Sequence, residues 1–401
     1  MSDPARPRII VFAYACAPGL GSEPGAGWGM VDALNQTAHP IVLVGGRHIP
    51  AIRKWEETAP DDAPEFINVP EPKIEPYTRW HRIPRFIVYL FWLRRARRQA
   101  EHIISSAGAD AVAHFTYAAF WLPTPATDLG LPSIWGPVGG GVRTPRKLWR
   151  LLGVVGLFQE ILDYVSVRLM TLVPAVRRTA RNATVRILQN EETLDRLPAD
   201  TSADSYILNH ALFNTVPADS PEPDGRFALW VSPMQSRKGP QLVVEALAHT
   251  TTDIPLVMVG DGPQRKAIER LAMRLGVADR IRFTGWIERD AAVRYMNQAT
   301  TVIFTGLREE GGLALTEAMY SARRLIVLDH GGAGSIARRT NDTERVSLIE
   351  PDRLEAVATQ IGRSIDSHFQ AEECDKTPLL DAEVALNELS NAIATALNSY
   401  T

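Results

Sequence analysis

Cysteine is nearly absent: the 401-residue chain holds two, Cys16 and Cys374, far apart in sequence. They build no disulfide framework and fit a reducing compartment. Metal-ligand patterns are missing too. No close His, Cys and Asp cluster has the spacing of a zinc or calcium site, and no Asp-x-Asp pair occurs of the kind that holds a divalent ion beneath a diphosphate. The expectation is therefore no metal and no cofactor. Long apolar runs are also lacking, because Arg150, Glu160, Asp163 and Arg168 interrupt the longest candidate for a membrane span. The apolar run at 9–17 is too short for a secretory leader and reads as a buried strand. A cytoplasmic location is expected. The net charge of −3 argues against bulk nucleic-acid binding, and no nucleic-acid module is evident. Neither a fixed-period repeat nor a low-complexity tract occurs, which excludes solenoids and tail-like segments.

What remains is an ordinary globular composition, 45% apolar and 22% charged, on a chain longer than one core usually supports. Strand-like runs alternate with helical patterns, the signature of an α/β architecture with mainly parallel sheets. Strands are expected at 8–15, 40–44, 111–115, 132–135, 184–189 and 205–209, with a helix from about 27 to 35. Residues 216–225 are rich in proline and acid and read as a linker. The pattern then restarts, with strands at 227–232, 255–260, 280–284, 301–304 and 324–328 and helices at 240–249 and 265–275. The expected domains are 1–215, a linker at 216–225, 226–381, and a terminal helix at 382–401 that packs back toward the first domain. Two Rossmann-like, doubly wound domains would face each other across a cleft, with ligands outside the carboxyl ends of the strands.

The most telling stretch is Glu309-Glu310-Gly311-Gly312-Leu313-Ala314-Leu315-Thr316-Glu317. It places a carboxylate on a loop, two glycines at a helix start and a second carboxylate one to two turns in. Free N–H groups at a helix N-terminus attract a diphosphate, and carboxylates accept hydrogen bonds from sugar hydroxyls. Taken alone, it also fits a plain βα turn with two solvated glutamates. Lys238, at a helix start after a strand, can bring a point charge to a diphosphate or simply be solvated. His114 ends a predicted strand, where a histidine is more often structural. The glycine loop at 19–27, including Gly21, lets backbone approach phosphate or acceptor. It is a poor dinucleotide fingerprint, since Pro24 stands where the third small residue belongs. Gly139, Gly140 and Gly141 suit close ligand approach or a hinge equally.

Five segments in order carry a family resemblance: Trp230-Val231-Ser232 with Arg237-Lys238-Gly239; Val257-Met258-Val259-Gly260-Asp261-Gly262-Pro263; Arg282-Phe283-Thr284-Gly285-Trp286; the 309–317 stretch; and, in the first half, Gly21-Ser22-Glu23-Pro24-Gly25-Ala26-Gly27-Trp28 with Trp135-Gly136-Pro137-Val138-Gly139-Gly140-Gly141. Together they resemble the retaining GT-B glycosyltransferases of glycosyltransferase family 4, in a bacterial branch that builds surface polysaccharides. The resemblance implies hexosyl transfer from a nucleoside-diphosphate sugar to a glycan or lipid-linked saccharide, without a metal. It implies that Glu309 and His114 act at the reacting sugar. Arg237, Lys238, Gly21, Gly262, Gly311, Gly312 and Leu313 would hold the donor, Glu317 its ribose, and backbone near Ile287 its base. The chain departs from the family at Ser232 and Pro233, where an arginine of the diphosphate clamp is usual, and at Glu310 and Gly311, where a glycine and an aromatic are usual. Those departures keep open a catalytically weak binding subunit of a polysaccharide-assembly complex. An epimerase or phosphorylase on the same fold is a further reading.

Residues 77–98 contain basic and aromatic side chains and no acid, and 143–181 add more Arg and Lys around Leu148, Trp149, Leu151, Leu152 and Phe158. Such segments suit peripheral attachment to an anionic membrane surface, or else a core with a solvated basic face.

Overall fold

The computed structural model describes residues 6–71, 82–197, 203–213, 225–372 and 377–399. The chain divides into two compact units. One comprises Met1–Gly141, Val167–Asn214 and Glu383–Thr401, the other Val142–Ser166 and Thr215–Ala382. Most of the expected linker, 216–224, and Cys374 lie outside the described residues.

The first unit is built on a seven-stranded sheet: β1 (Arg8–Phe12), β2 (His39–Gly45), β3 (Glu65–Val69), β4 (Ala111–His114), β5 (Ser133–Val138), β6 (Val185–Leu188) and β7 (Asp204–Ile207), in the order β3-β2-β1-β4-β5-β6-β7. The second has six strands: β8 (Ala228–Val231), β9 (Leu256–Val259), β10 (Ile281–Gly285), β11 (Thr301–Phe304), β12 (Leu325–Leu328) and β13 (Val346–Ile349), in the order β10-β9-β8-β11-β12-β13. All pairings are parallel. The α/β, doubly wound class read from the sequence is the observed one. Central strands such as Leu256–Val259 are buried throughout, as covering both faces of a parallel sheet demands. β3 and β13 were not expected. Both lie at a sheet edge and mix polar with apolar residues, so neither carries a continuous apolar run.

The helix Ser22–Asn35 begins five residues before its expected start. Its glycines read as loop, yet Gly27 is needed in the helix because a Cβ there would lie 2.3 Å from the Ala15 carbonyl oxygen and 2.5 Å from Thr116 Cγ2. Pro24 sits in the first turn, where a missing N–H costs no hydrogen bond. Of the basic, aromatic stretch at 77–98, residues 77–81 lie outside the described residues. Val88, Tyr89, Trp92 and Leu93 are buried in the first unit, and Arg94, Arg95, Arg97 and Arg98 are exposed. That part is core with a solvated basic face. The terminal helix Ala382–Asn398 buries Ala385, Leu389, Ala392, Ile393 and Ala396 along one face within the first unit, and Thr395 Oγ1 lies 2.9 Å from Tyr206 Oη.

Residues 142–166 depart from the expected partition, which runs the first domain unbroken to 215. They belong to the second unit. Leu148, Leu151 and Leu152 join its core with Trp230, Met234 and Leu242. Arg308 Nη1 fixes the attachment, reaching Glu160 at 3.2 Å and Asp163 at 2.9 Å, while Thr144 braces the segment internally by donating its N–H and hydroxyl to Glu160, each at 3.2 Å. Lys147 adds an exposed pair with Asp352 at 2.7 Å. Sequence order alone gives no sign of this exchange.

Candidate functional site

In the second unit β8 and β11 are neighbours, but β8 continues to β9 on one side and β11 to β12 on the other. The loops leaving their carboxyl ends therefore diverge and open a crevice, the usual ligand position in such sheets. Both loops carry expected site residues. After β8 the chain makes a short 3₁₀ turn, Ser236–Lys238, then passes through Gly239 into the helix Pro240–Ala248. After β11 it runs through Glu309 to Gly312, the N-cap of the helix Leu313–Ser321.

Lys238 and Glu309 are 71 positions apart and form an ion pair between Nζ and Oε2. Their side chains are only 14% and 22% exposed, so the pair is largely withdrawn from water. Burial lowers the Lys238 pKa, Glu309 opposes that shift, and the Arg237 guanidinium adds to it. Thr305 holds the two loops in register. Its hydroxyl donates toward the carbonyls of Lys238 and Gly239, both at 3.0 Å, and accepts from Trp230 Nε1 at 3.0 Å. The Arg237 carbonyl receives the N–H groups of Leu307 and Arg308 at 2.8 and 3.2 Å. The Arg237 guanidinium is turned to Gln235 Oε1 at 3.0 Å. Nothing in the residue pattern singled out Thr305; only its place one residue beyond β11 hints at it.

The glycines around this crevice fit their conformations. Gly239 has φ +62°, and a Cβ there would meet the Thr305 carbonyl oxygen at 2.4 Å. Gly262 has φ +157° and lies against the Met234 backbone, 2.7 Å from its carbonyl oxygen to an added Cβ. Gly311, Gly312 and Leu313 lie at the start of the helix Leu313–Ser321, whose first N–H groups have no intrahelical acceptor. Glu310 points elsewhere, and its Oε1 accepts from the Val142 N–H at 3.0 Å. The Glu309 carbonyl accepts from Gly332 N at 2.8 Å, tying this loop to the next helix. Glu317 is buried and paired with Arg289 Nε at 2.6 Å. No sequence signal announced Arg289, which sits on the separate helix Arg289–Gln298 just after Ile287. Trp286, beside Ile287, is 67% exposed.

The first unit repeats the topology, with its divergence between β1 and β4. His114 ends β4 and is 2% exposed. Its Nε2 lies 3.0 Å from both the Thr116 carbonyl and Tyr89 Oη. A carbonyl only accepts, so Nε2 carries the proton and Nδ1 is a lone-pair acceptor. Nδ1 is buried and has no hydrogen-bond partner among the described residues. Gly21 is the N-cap of Ser22–Asn35, and next to it Ser22 adopts φ +59°, unusual for a non-glycine residue. Tyr117 has φ +57° and donates its N–H to Glu23 Oε1 at 2.8 Å. Backbone strain of this kind gathers at functional sites. Gly139 and Gly141, by contrast, are packing positions: Gly139 N bonds the Ala118 carbonyl at 3.0 Å and Gly141 N bonds Thr193 Oγ1 at 3.2 Å.

Burial lowers the His114 pKa to about 4, against an opposing hydrogen bond to the Thr116 carbonyl. An unfolded histidine titrates near 6.5, so between that pH and about 4 the unfolded chain binds more protons. Stability is therefore complete above pH 6.5 and is lost as pH falls through this window, by about 2 to 3 kcal/mol at pH 4.5 from this residue. Urea unfolding at pH 7 and 4.5 should show that loss, and His114→Gln should reduce it. An unchanged pH dependence in the variant would mean that the imidazole is protonated in the fold.

Among the described residues, no group of three or more His, Cys, Asp or Glu stands where it could hold a metal ion. Comparison with known proteins bears on the rest. Residues 214–377 match the family model "Glycosyl transferases group 1". Alpha-D-kanosaminyltransferase of Streptomyces kanamyceticus is 26% identical over 176 residues, 43% of this chain and 45% of that protein. D-inositol 3-phosphate glycosyltransferase of Acidothermus cellulolyticus is 30% identical over 162 residues, 37% of this chain and 35% of that one. The chain thus matches less than half the length of these relatives. Among solved structures, the lipopolysaccharide outer core galactosyltransferase WaaB covers 98% of this chain, and this chain all of it, at TM-score 0.61 and 12% identity. Sucrose-phosphate synthase of Thermosynechococcus elongatus has the same coverage at TM-score 0.57 and 17% identity. Anabaena HepE, solved with UDP and glucose, covers 98% each way at TM-score 0.52 and 14% identity. The structural likenesses show the fold, which is GT-B. With the sequence matches they support a glycosyltransferase.

Proposed function

We propose that this chain moves a hexose from a nucleoside-diphosphate sugar to a glycan or lipid-linked saccharide, with retention at the anomeric carbon and without a metal ion, in the synthesis of a surface polysaccharide. The observation that carries the reading is the Lys238–Glu309 pair at the divergence of β8 and β11, beside the N-terminus of Leu313–Ser321. Transfer needs a diphosphate stabilised as it departs and positive charge tolerated at the anomeric carbon. An ammonium and helix-terminal N–H groups suit the first need, and a carboxylate at the sugar suits the second. Lys238 and the N–H groups of Gly311, Gly312 and Leu313 take the diphosphate, with Gly262 allowing close approach. Glu309 faces the sugar. Glu317 meets the ribose, exchanging or sharing Arg289, and backbone near Ile287 meets the base. His114, held neutral by burial at the end of β4, is the first unit's candidate for positioning hydroxyls, and the strained turn at Gly21 and Ser22 follows β1 in the same unit. The relatives are named for glycosyl transfer, and the UDP and glucose bound by HepE agree with a nucleotide-sugar donor.

The weak-subunit reading rests on Pro233 and on Glu310-Gly311. Glu310 loses force as support, because its carboxylate has a structural use at the Val142 N–H. A panel of nucleoside diphosphates tests the donor reading directly. The preferred one at a hundred times its Kd should stabilise the fold by about 2.7 kcal/mol, read as a raised Tm. Glu309→Ala should then keep nucleotide binding and lose transfer. A weak subunit would give the Tm shift in both proteins and turnover in neither. The proposed setting is cytoplasmic, peripheral to the inner membrane face, within reach of a lipid-linked acceptor.

A further inference from the structure

The helix Gly153–Met170 is built inside out. Val154, Val155, Phe158, Ile161, Leu162 and Val165 recur at helical spacing and form one stripe about a third of the circumference wide. A stripe of that kind normally faces a core. Here every member is exposed, Val154 to 88%, Val155 to 72% and Phe158 to 61%. The opposite face carries the acids. Glu160 is buried against Thr144, and both Glu160 and Asp163 pair with Arg308. These are the only acids between residues 142 and 170. With both acids engaged by Arg308, the exposed charges of the turn leading into the helix, Arg146–Leu152, are the basic Arg146, Lys147 and Arg150. Contiguous exposed apolar surface on a folded protein marks an interaction site.

We propose that this helix face docks on an anionic lipid bilayer. Charge complementarity selects that occupant. Lipid headgroups of negative charge answer the arginines while the acyl boundary receives the stripe. A second copy of this chain, meeting the same face, would set arginine against arginine, since the neighbouring Asp352 is already engaged by Lys147. The helix lies on the surface and does not cross it, since among the described residues no helix is long and apolar enough to span a membrane. The inference deepens the membrane-side part of the proposed function by naming its surface, and rests on that part alone.

Full-length protein is tested by flotation with phosphatidylcholine vesicles containing about 30% phosphatidylglycerol, and with phosphatidylcholine alone. Binding is expected only to the anionic vesicles and should weaken as salt rises. Phe158→Ser with Leu162→Ser, and separately Arg146→Glu with Arg150→Glu, should each lower the partition coefficient about tenfold or more. Tm and the nucleotide-induced Tm shift should stay unchanged, so failure here is distinct from failure of the donor reading. Absent binding, or equal binding by wild type and both variants, overturns the proposal. So does sedimentation velocity showing a dimer that the Phe158/Leu162 variant dissociates while vesicles go unbound, which assigns the face to a second copy.

Discussion

Lys238→Ala is expected to lower kcat/KM for transfer by about 10²- to 10³-fold, the usual cost of losing one preorganised group that meets developing negative charge. The loss should fall on kcat more than on KM, because the leaving diphosphate gains charge only as the glycosidic bond breaks. The ion pair with Glu309 makes the prediction sharper. Both side chains are mostly withdrawn from water, so deleting either leaves the other charge uncompensated. Glu309→Gln should therefore also cost about 10²-fold or more, and should lower the Lys238 pKa further by removing the group that opposes its burial. If the two act as one unit on one transition state, the double variant loses little beyond the worse single variant. Losses that multiply would separate the residues, and full activity in Lys238→Ala would remove the ammonium from the mechanism. Lys238→Arg is no rescue, since a planar fork does not replace a compact charge in a buried turn.

Why the crevice pair was legible and its supports were not follows from distance along the chain. Lys238, Glu309, Gly312 and His114 each stand at or soon after the end of an apolar strand, and a strand-loop-helix pattern is a local signal that survives in sequence. The fold then brings Lys238 and Glu309 together because β8 and β11 are adjacent. Thr305, Arg289 and Arg308 act by reaching across to loops or helices distant in sequence, and threonine or arginine near a strand end has too many ordinary uses to stand out. The early start of Ser22–Asn35 was hidden for a related reason: Gly27 is set by the backbone of Ala15 and the methyl of Thr116, a tertiary demand that overrides its poor helix propensity. Residues 142–166 misled most. Their composition promised an amphipathic segment, and only the inward turn of Glu160 and Asp163 toward Arg308 reveals which face is free and which unit claims it. Ser22 and Tyr117 carry no sign in sequence of their left-handed backbone, because neither residue type favours it.

Gly239→Val tests whether the turn after β8 is what positions the ammonium. Gly239 has φ +62° and ψ +38°, a left-handed conformation that costs a side-chain-bearing residue about 1 to 2 kcal/mol, with a β-branched residue at the worse end. Its Cβ would stand 2.4 Å from the Thr305 carbonyl oxygen, a backbone atom that cannot swing aside. Relieving that overlap adds about 1 to 3 kcal/mol. The same shift pulls the Lys238 and Gly239 carbonyls from the Thr305 hydroxyl and threatens the bond from the buried Trp230 indole. The total expected is a loss of about 3 to 5 kcal/mol in the stability of the second unit, read from urea or thermal unfolding. Thr305→Val separates the two causes. It keeps the shape and the glycine but removes the hydroxyl, leaving Trp230 Nε1 without its acceptor at a cost of about 1 to 3 kcal/mol. Both variants should weaken nucleotide binding while Lys238 itself is intact. If either protein folds with wild-type nucleotide affinity and turnover, the ammonium finds its place without this turn, and the crevice is organised by something other than the β8 and β11 loops.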